Sequence, residues 1–218
     1  KILYGAMNEI PYFWCERVFA PWVDMEEEMR REGIPLYGLE SGDPVNQFDF
    51  IGFTLQYELS YTNVLNMLEL AGIPLRSKDR PDLFNIVVGG GPCVCNPEPL
   101  ADFFDLFFLG DGEEVDIEVM EIYRQCKKEG KSKLEFLEKA AQVEGVYVPA
   151  FYDVSYNPDG TVKEYIPTHG APKTVKKRVI RDMNKAYYPK DFVVPLIDVV
   201  HNRISEEVLR GCIRGCRF

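Results

Sequence analysis

The sequence predicts an α/β fold: a mostly parallel sheet with helices on both faces, followed by a β-hairpin connector. Three observations predict it. Over residues 1–125, short apolar runs alternate with amphipathic stretches, the pattern of a doubly wound layer. The runs are near-continuously apolar, as strands are when helices cover both faces of a sheet. Two of them lead straight into glycine turns, Gly89-Gly90-Gly91-Pro92 and Gly110-Asp111-Gly112-Glu113.

Taken in order, residues 1–8 read as the end of a helix. The chain begins on Lys1 rather than Met, and such a layer ordinarily opens on a strand. An earlier strand and loop are therefore expected ahead of it. Residues 13–18 suit a strand. Residues 24–32 suit a helix that Asp24 opens and Gly33 stops. Residues 36–39 form a short strand and 49–54 a stronger one, with Phe50, Ile51 and Phe53. A helix over 62–71 ends at Gly72. Residues 85–88 are a buried strand, 99–103 a short helix, 105–109 a second buried strand and 113–128 a long helix.

The character changes after about residue 131. One more helix covers 134–141, and an extended region begins at 146–149. Residues 151–156 and 161–166 flank Asn157-Pro158-Asp159-Gly160 and read as a hairpin. Residues 173–180 are extended, and Pro167, Pro172, Pro189 and Pro195 punctuate the stretch. Residues 203–210 read as a strand. The expected organisation is a sheet domain at 1–130, a helix, hairpin and linker at 131–202, and the start of a further domain at 203–218.

Composition narrows the function. Hydrophobic residues make up 46% of 218, enough for a core, and the apolar run at 103–109 falls short of a membrane span. With no signal-peptide pattern, a soluble cytoplasmic protein is expected. The formal net charge of −10 repels nucleic-acid phosphates. The basic stretch from Lys173 to Arg181 is the local exception and reads as a solvated strand or loop face, with a nucleic-acid contact as the alternative.

Six cysteines are too sparse here for a disulfide scaffold. Cys15, Cys93, Cys95 and Cys126 read as small buried hydrophobes or incidental thiols. Cys212 and Cys216 differ. They sit four apart among glycines, after the expected last strand. Thiolates are soft ligands for iron–sulfur clusters and zinc. Gly211 and Gly215 let the backbone curl tightly, and Arg214 and Arg217 favour the thiolate and offset a cluster's negative charge. Two unrelated terminal thiols are the plainer reading of that pair alone.

The surrounding string Glu206-x-x-x-Arg210-Gly211-Cys212-x-x-x-Cys216-x-Phe218 resembles the radical S-adenosylmethionine (SAM) signature. In that signature a third cysteine follows the aromatic residue. The resemblance implies that the chain stops inside the motif, with the third ligand next after Phe218. It implies that Cys212 and Cys216 hold two irons of a 4Fe–4S cluster, whose open iron binds SAM. Reduction then cleaves SAM to a 5′-deoxyadenosyl radical. Phe218 would pack near the adenine, and residues 203–210 would be the first strand of a partial TIM-type barrel. A reductant protein such as flavodoxin or ferredoxin is implied, together with a small-molecule or macromolecular substrate.

The front of the chain is similar to the cobalamin-binding-type domain that radical SAM enzymes often carry, a Rossmann-like fold of the flavodoxin type. The turns at Gly89, Gly90 and Gly91 and at Gly110, Asp111, Gly112 and Glu113 match its glycine turns and are the implied cofactor-binding residues. The segments ERVFAPW (16–22), QYELSYTNVLN (56–66) and GGGPCVCNPEPLADFF (89–104) resemble a family of radical SAM proteins with this front domain. Turns at the carboxyl ends of parallel strands let backbone approach a ligand, and the following helix favours anions. Glycines that merely make tight turns are the plainer alternative.

One departure from the family concerns cobalamin. His169 and His201 do not stand in an Asp-x-His-x-x-Gly loop, so a lid or substrate platform stands beside cobalamin binding as the front domain's role. Both histidines read as ordinary loop residues, Tyr57, Tyr61, Tyr187 and Tyr188 as packing residues, and Asp102 and Asp105 as element-end residues. Two other functions remain open on the residues alone: a ligand-binding module without catalysis, and a zinc-stabilised interaction domain using Cys212, Cys216 and distant thiols.

Overall fold

The computed structural model describes residues 1–191, 193, 194, 196–198, 203 and 207–215. The amino-terminal helix α1 is Ile2–Asn8, followed by α2, Val23–Glu32. Strand β1 is Phe50–Thr54, helix α3 Tyr61–Leu70, β2 Ile86–Gly90 and β3 Leu106–Phe108. Helices α4 (Gly112–Lys128) and α5 (Lys133–Ala140) precede a two-residue strand β4, Val146–Tyr147. The hairpin is β5, Tyr152–Tyr156, and β6, Val162–Pro167.

The main sheet runs in the order β1-β2-β3-β4. The first three strands are parallel, with Ile51 beside Val87 and Val88 beside Leu106. Strand β4 closes the edge antiparallel to β3, pairing Phe107 with Tyr147. Side chains alternate across the sheet as strand geometry requires. Ile86, Val88, Leu106 and Phe108 join Val115, Val119, Tyr123 and Phe136 from α4 and α5 in one core. Ile51, Val87 and Phe107 face the other way, toward Met29 of α2 and Val64 and Leu68 of α3. Both faces are thus covered, as the apolar runs predict.

Helix ends follow local chemistry. Gly33 takes a left-handed conformation (φ 66°) and its N–H donates to the Met29 carbonyl, which stops α2. Ser132 and Glu135 form a reciprocal capping box at the start of α5. In the hairpin, Gly160 at φ 82° lets residues 157–160 reverse the chain.

Three expected elements take other forms. Residues 13–18 and 36–39 do not build strands. Leu39 N donates to the Arg17 carbonyl at 2.9 Å, Leu36 N to Leu70 O and Gly38 N to Asp43 O, while side chains serve Cys15 N and Arg17 N through Asn8 and Glu40. Scattered partners replace a ladder, so these segments form a braced loop. The expected helix at 99–103 is a single 3-10 turn, Glu98–Leu100. Of the expected strand at 203–210, residues 204–206 lie outside the described residues. Arg203 and residues 207–210 hold no strand pairing.

One buried ionic hub ties the layers together. Asp105 is 1% exposed and accepts Val87 N at 2.7 Å. Its carboxylate also meets Arg80 at 3.1 Å and Lys133 at 2.6 Å, and accepts from the Ser77 hydroxyl. Arg80 donates onward to the carbonyls of Pro74, Leu75 and Phe103. Lys133 donates to the Arg80 carbonyl at 2.6 Å. Burial draws the Lys133 ammonium below the usual lysine range, against the raising pull of Asp105. Among the described residues no helix is long and apolar enough to cross a membrane.

Removing one partner of a buried pair leaves an uncompensated charge, which costs roughly 3–5 kcal/mol. Asp105→Ala is expected to lower stability by that order in urea unfolding monitored by circular dichroism. A loss below about 1 kcal/mol would show that the hub behaves like a surface pair.

Candidate functional site

The carboxyl ends of the parallel strands bring the glycine turns to one edge. At the end of β2, a side chain on Gly89 would stand 2.7 Å from the Phe107 ring, so glycine there serves packing. Gly91 has φ 99°, and a Cβ would lie 2.8 Å from the Leu55 carbonyl oxygen. That closeness reflects two hydrogen bonds, Leu55 N to Gly90 O at 2.6 Å and Cys93 N to Leu55 O at 3.0 Å. Gly90 alone faces open space, with no described atom within 4 Å of a built Cβ.

The second turn is closed by the chain itself. Gly110, at φ 109°, bridges Arg178 in a parallel pairing, and a Cβ would collide with the Arg178 carbonyl oxygen. Arg178 N donates to Leu109 O at 2.9 Å, Asp111 N to Arg178 O at 3.1 Å, and Ile180 N to the Asp111 carboxylate at 2.8 Å. The Arg178 guanidinium reaches Glu114 at 3.0 Å and Glu118 at 3.2 Å. This part of the basic stretch is therefore a strap over the turn rather than a solvated face.

The first turns of α4 carry four carboxylates: Glu113, Glu114, Asp116 and Glu118. Glu113 is 7% exposed and accepts a hydrogen bond from Arg210. Arg210 also meets Glu207 at 2.6 Å and Asp111 at 3.6 Å. Hydrogen bonds to Glu207 first and Glu113 second raise its guanidinium further above the usual range. Asp116 is 6% exposed, and its Oδ1 has no hydrogen-bond partner among the described residues. Burial first, and the Glu113 charge second, push its carboxyl up to about 7.

Cys212 is exposed, and its Sγ accepts the Arg214 backbone N–H at 3.4 Å. Gly211 before it adopts φ 85°, the left-handed turn that glycine permits. Cys216 and Phe218 lie outside the described residues, as does His201. His169 stacks on Phe151 at 4.7 Å and lies 3.1 Å from Glu138. Cys126 is buried, and burial raises the Cys15 thiol to about 11, which disfavours a thiolate there. No group of three or more metal-binding side chains assembles among the described residues. Two shallow hollows open elsewhere, between α1 and residues 187–191 and between residues 141–146 and 172–176.

Sequence reasoning missed Asp105, Asp116, and the partners of Arg178 and Arg210. Asp116 was within reach. It falls on the same helical stripe as Val115, Val119, Tyr123 and Cys126, where a carboxylate is out of place.

A family model described as radical SAM proteins, N-terminal, matches residues 1–149. The chain is also 32% identical, over 193 residues, to an uncharacterized protein of Methanocaldococcus jannaschii. That alignment covers 85% of this chain and 33% of the relative, so the chain spans about a third of that protein's length. No solved structure matches.

Asp116 yields a pH prediction. Its folded value of about 7 lies above the roughly 3.9 of an unfolded aspartate. The folded state binds this proton more tightly, so the stabilising contribution is full below about pH 4 and is lost as pH rises through about 7. Asp116→Asn removes that dependence. Its stability advantage over the natural protein in urea unfolding is expected to widen from about pH 5 to about pH 8, toward roughly 4 kcal/mol. An advantage that stays flat or narrows over that interval would contradict the assignment.

Proposed function

The chain belongs to the radical SAM proteins through their N-terminal domain, and from that premise we propose that it is the front part of a radical SAM enzyme. Cys212 and Cys216 would hold two irons of a 4Fe–4S cluster, with SAM on the open iron. When bound, this group supplies a carbon-centred radical. The observation that carries the reading is the family match over residues 1–149 combined with the thiol-bearing loop beyond it.

The described half of the cysteine pair suits a cluster. Cys212 is an exposed thiol, its sulfur accepts a backbone amide, and the glycines on either side leave room around it. Amide donation to a ligand sulfur is the kind of outer contact that orients a metal-bound thiolate. Phe218 would pack near the adenine. A flavodoxin or ferredoxin would supply the electron, and the free thiols among the described residues suit a reducing cytoplasm.

The front domain is read as a substrate platform or lid rather than a cobalamin site. At Gly110 the close approach that glycine permits is taken by Arg178, and the carboxylates of α4 oppose an anionic group. The Gly89–Gly91 turn, with Gly90 open, is the part of the edge free to meet a substrate.

Anaerobic reconstitution of the full-length protein with iron and sulfide tests the reading. A brown protein with broad visible absorbance is expected, with iron content falling sharply in Cys212→Ala and Cys216→Ala. Tight binding of one zinc ion with no cluster would overturn it.

A further inference from the structure

We infer that Arg210 is a positioning residue, which fixes the thiol-bearing loop to the first turn of α4 through Glu113 and Asp111. The inference rests on the reading of Cys212 as a cluster ligand. One residue, Gly211, separates Arg210 from Cys212, so the Cys212 Cα is tethered within about 7 Å of the anchored Cα.

The geometry supports a firm anchor. Glu113 is buried at 7% exposure, and only a fifth of the Arg210 side chain meets solvent. Pulling the pair apart would leave a buried carboxylate without its counter-charge. The guanidinium fork serves Glu113, Glu207 and Asp111 together. A lysine ammonium, a single point charge, cannot match that fork.

The electrostatics of the turn point the same way. A helix amino-terminus ordinarily favours anions, yet Asp111, Glu113 and Glu114 crowd this one with negative charge. Two cations from later in the chain answer it: Arg178 on Glu114 and Arg210 on Glu113. The turn that resembles a ligand-binding loop thus receives the chain's own arginines.

Brief trypsin digestion of the full-length protein without cluster reads the anchor directly. Cleavage after Arg210 requires that side chain to leave Glu113, whereas the Arg214 side chain is exposed and serves as an internal reference. Glu113→Gln is expected to raise the ratio of cleavage at position 210 to that at 214 by about tenfold. Arg210→Lys leaves Glu113 in place, remains a trypsin site and should raise the ratio likewise, which guards against misfolding of the first variant. An unchanged ratio in both overturns the inference.

A second readout separates positioning from mere stability. In the reconstituted protein both variants should retain iron but change the electron paramagnetic resonance line shape of the reduced cluster with SAM. Iron loss with an unaltered line shape for the remainder counts against a positioning role. Digestion does not depend on the cluster, so the anchor and the radical SAM reading can fail separately.

Discussion

A single buried carboxylate holds the sheet in register with its surroundings. Asp105 stands at the start of β3, where its backbone N–H donates to Val87 O and its side chain accepts from Val87 N. The same group collects Arg80 from the segment before β2 and Lys133 from the first turn of α5. No helix crosses between β2 and β3, only 3-10 turns. The usual crossover that would space two parallel strands is absent from this connection, and the ionic hub does that work. Asp105 gathers Val87, Ser77, Arg80 and Lys133, and Arg80 carries the hub on to backbone carbonyls, which makes it specific in geometry and intolerant of partial loss.

From that register follows the edge where the glycine turns meet. Fixing β3 beside β2 brings Gly110 to the edge at which β2 ends and starts α4 there. The turn then takes the strap at Arg178, and the helix start takes Arg210. The carboxylates of α4 explain why cations settle there. One face of the helix completes a core with Val115, Val119 and Tyr123, while its first turn joins the front domain to what comes after it.

Much of the fold was legible because its signals are local. Apolar runs ending in glycine marked β2 and β3, and Gly33 and Gly72 marked helix ends. The hairpin announced itself through Asn157 to Gly160. What sequence could not show depends on distant partners. Asp105 looks like an element-end residue because Arg80 and Lys133 lie more than twenty positions away on either side. Strand β4 is too short to read, and only its pairing with Phe107 and Phe108 makes it a strand. Residues 13–18 have strand-like composition, but the Asn8 and Glu40 side chains take the Cys15 and Arg17 amides that a ladder would use. The first glycine run was read as a turn, yet Gly89 and Gly90 pair with β1 as the end of β2, and what fills the second turn came from residue 178.

The separation between partners also orders the birth of the molecule. Arg210 and Glu113 stand 97 positions apart, and Arg178 and Glu114 stand 64 apart. Closing such long loops is entropically unfavourable until the intervening elements have condensed. All strands of the main sheet and the helices α1 to α5 precede both arginines in the chain, so the elements that carry the carboxylates can condense before either long loop closes. The sulfur of Cys212 stands two positions after Arg210, so its place depends on an anchor whose two halves lie far apart in the chain.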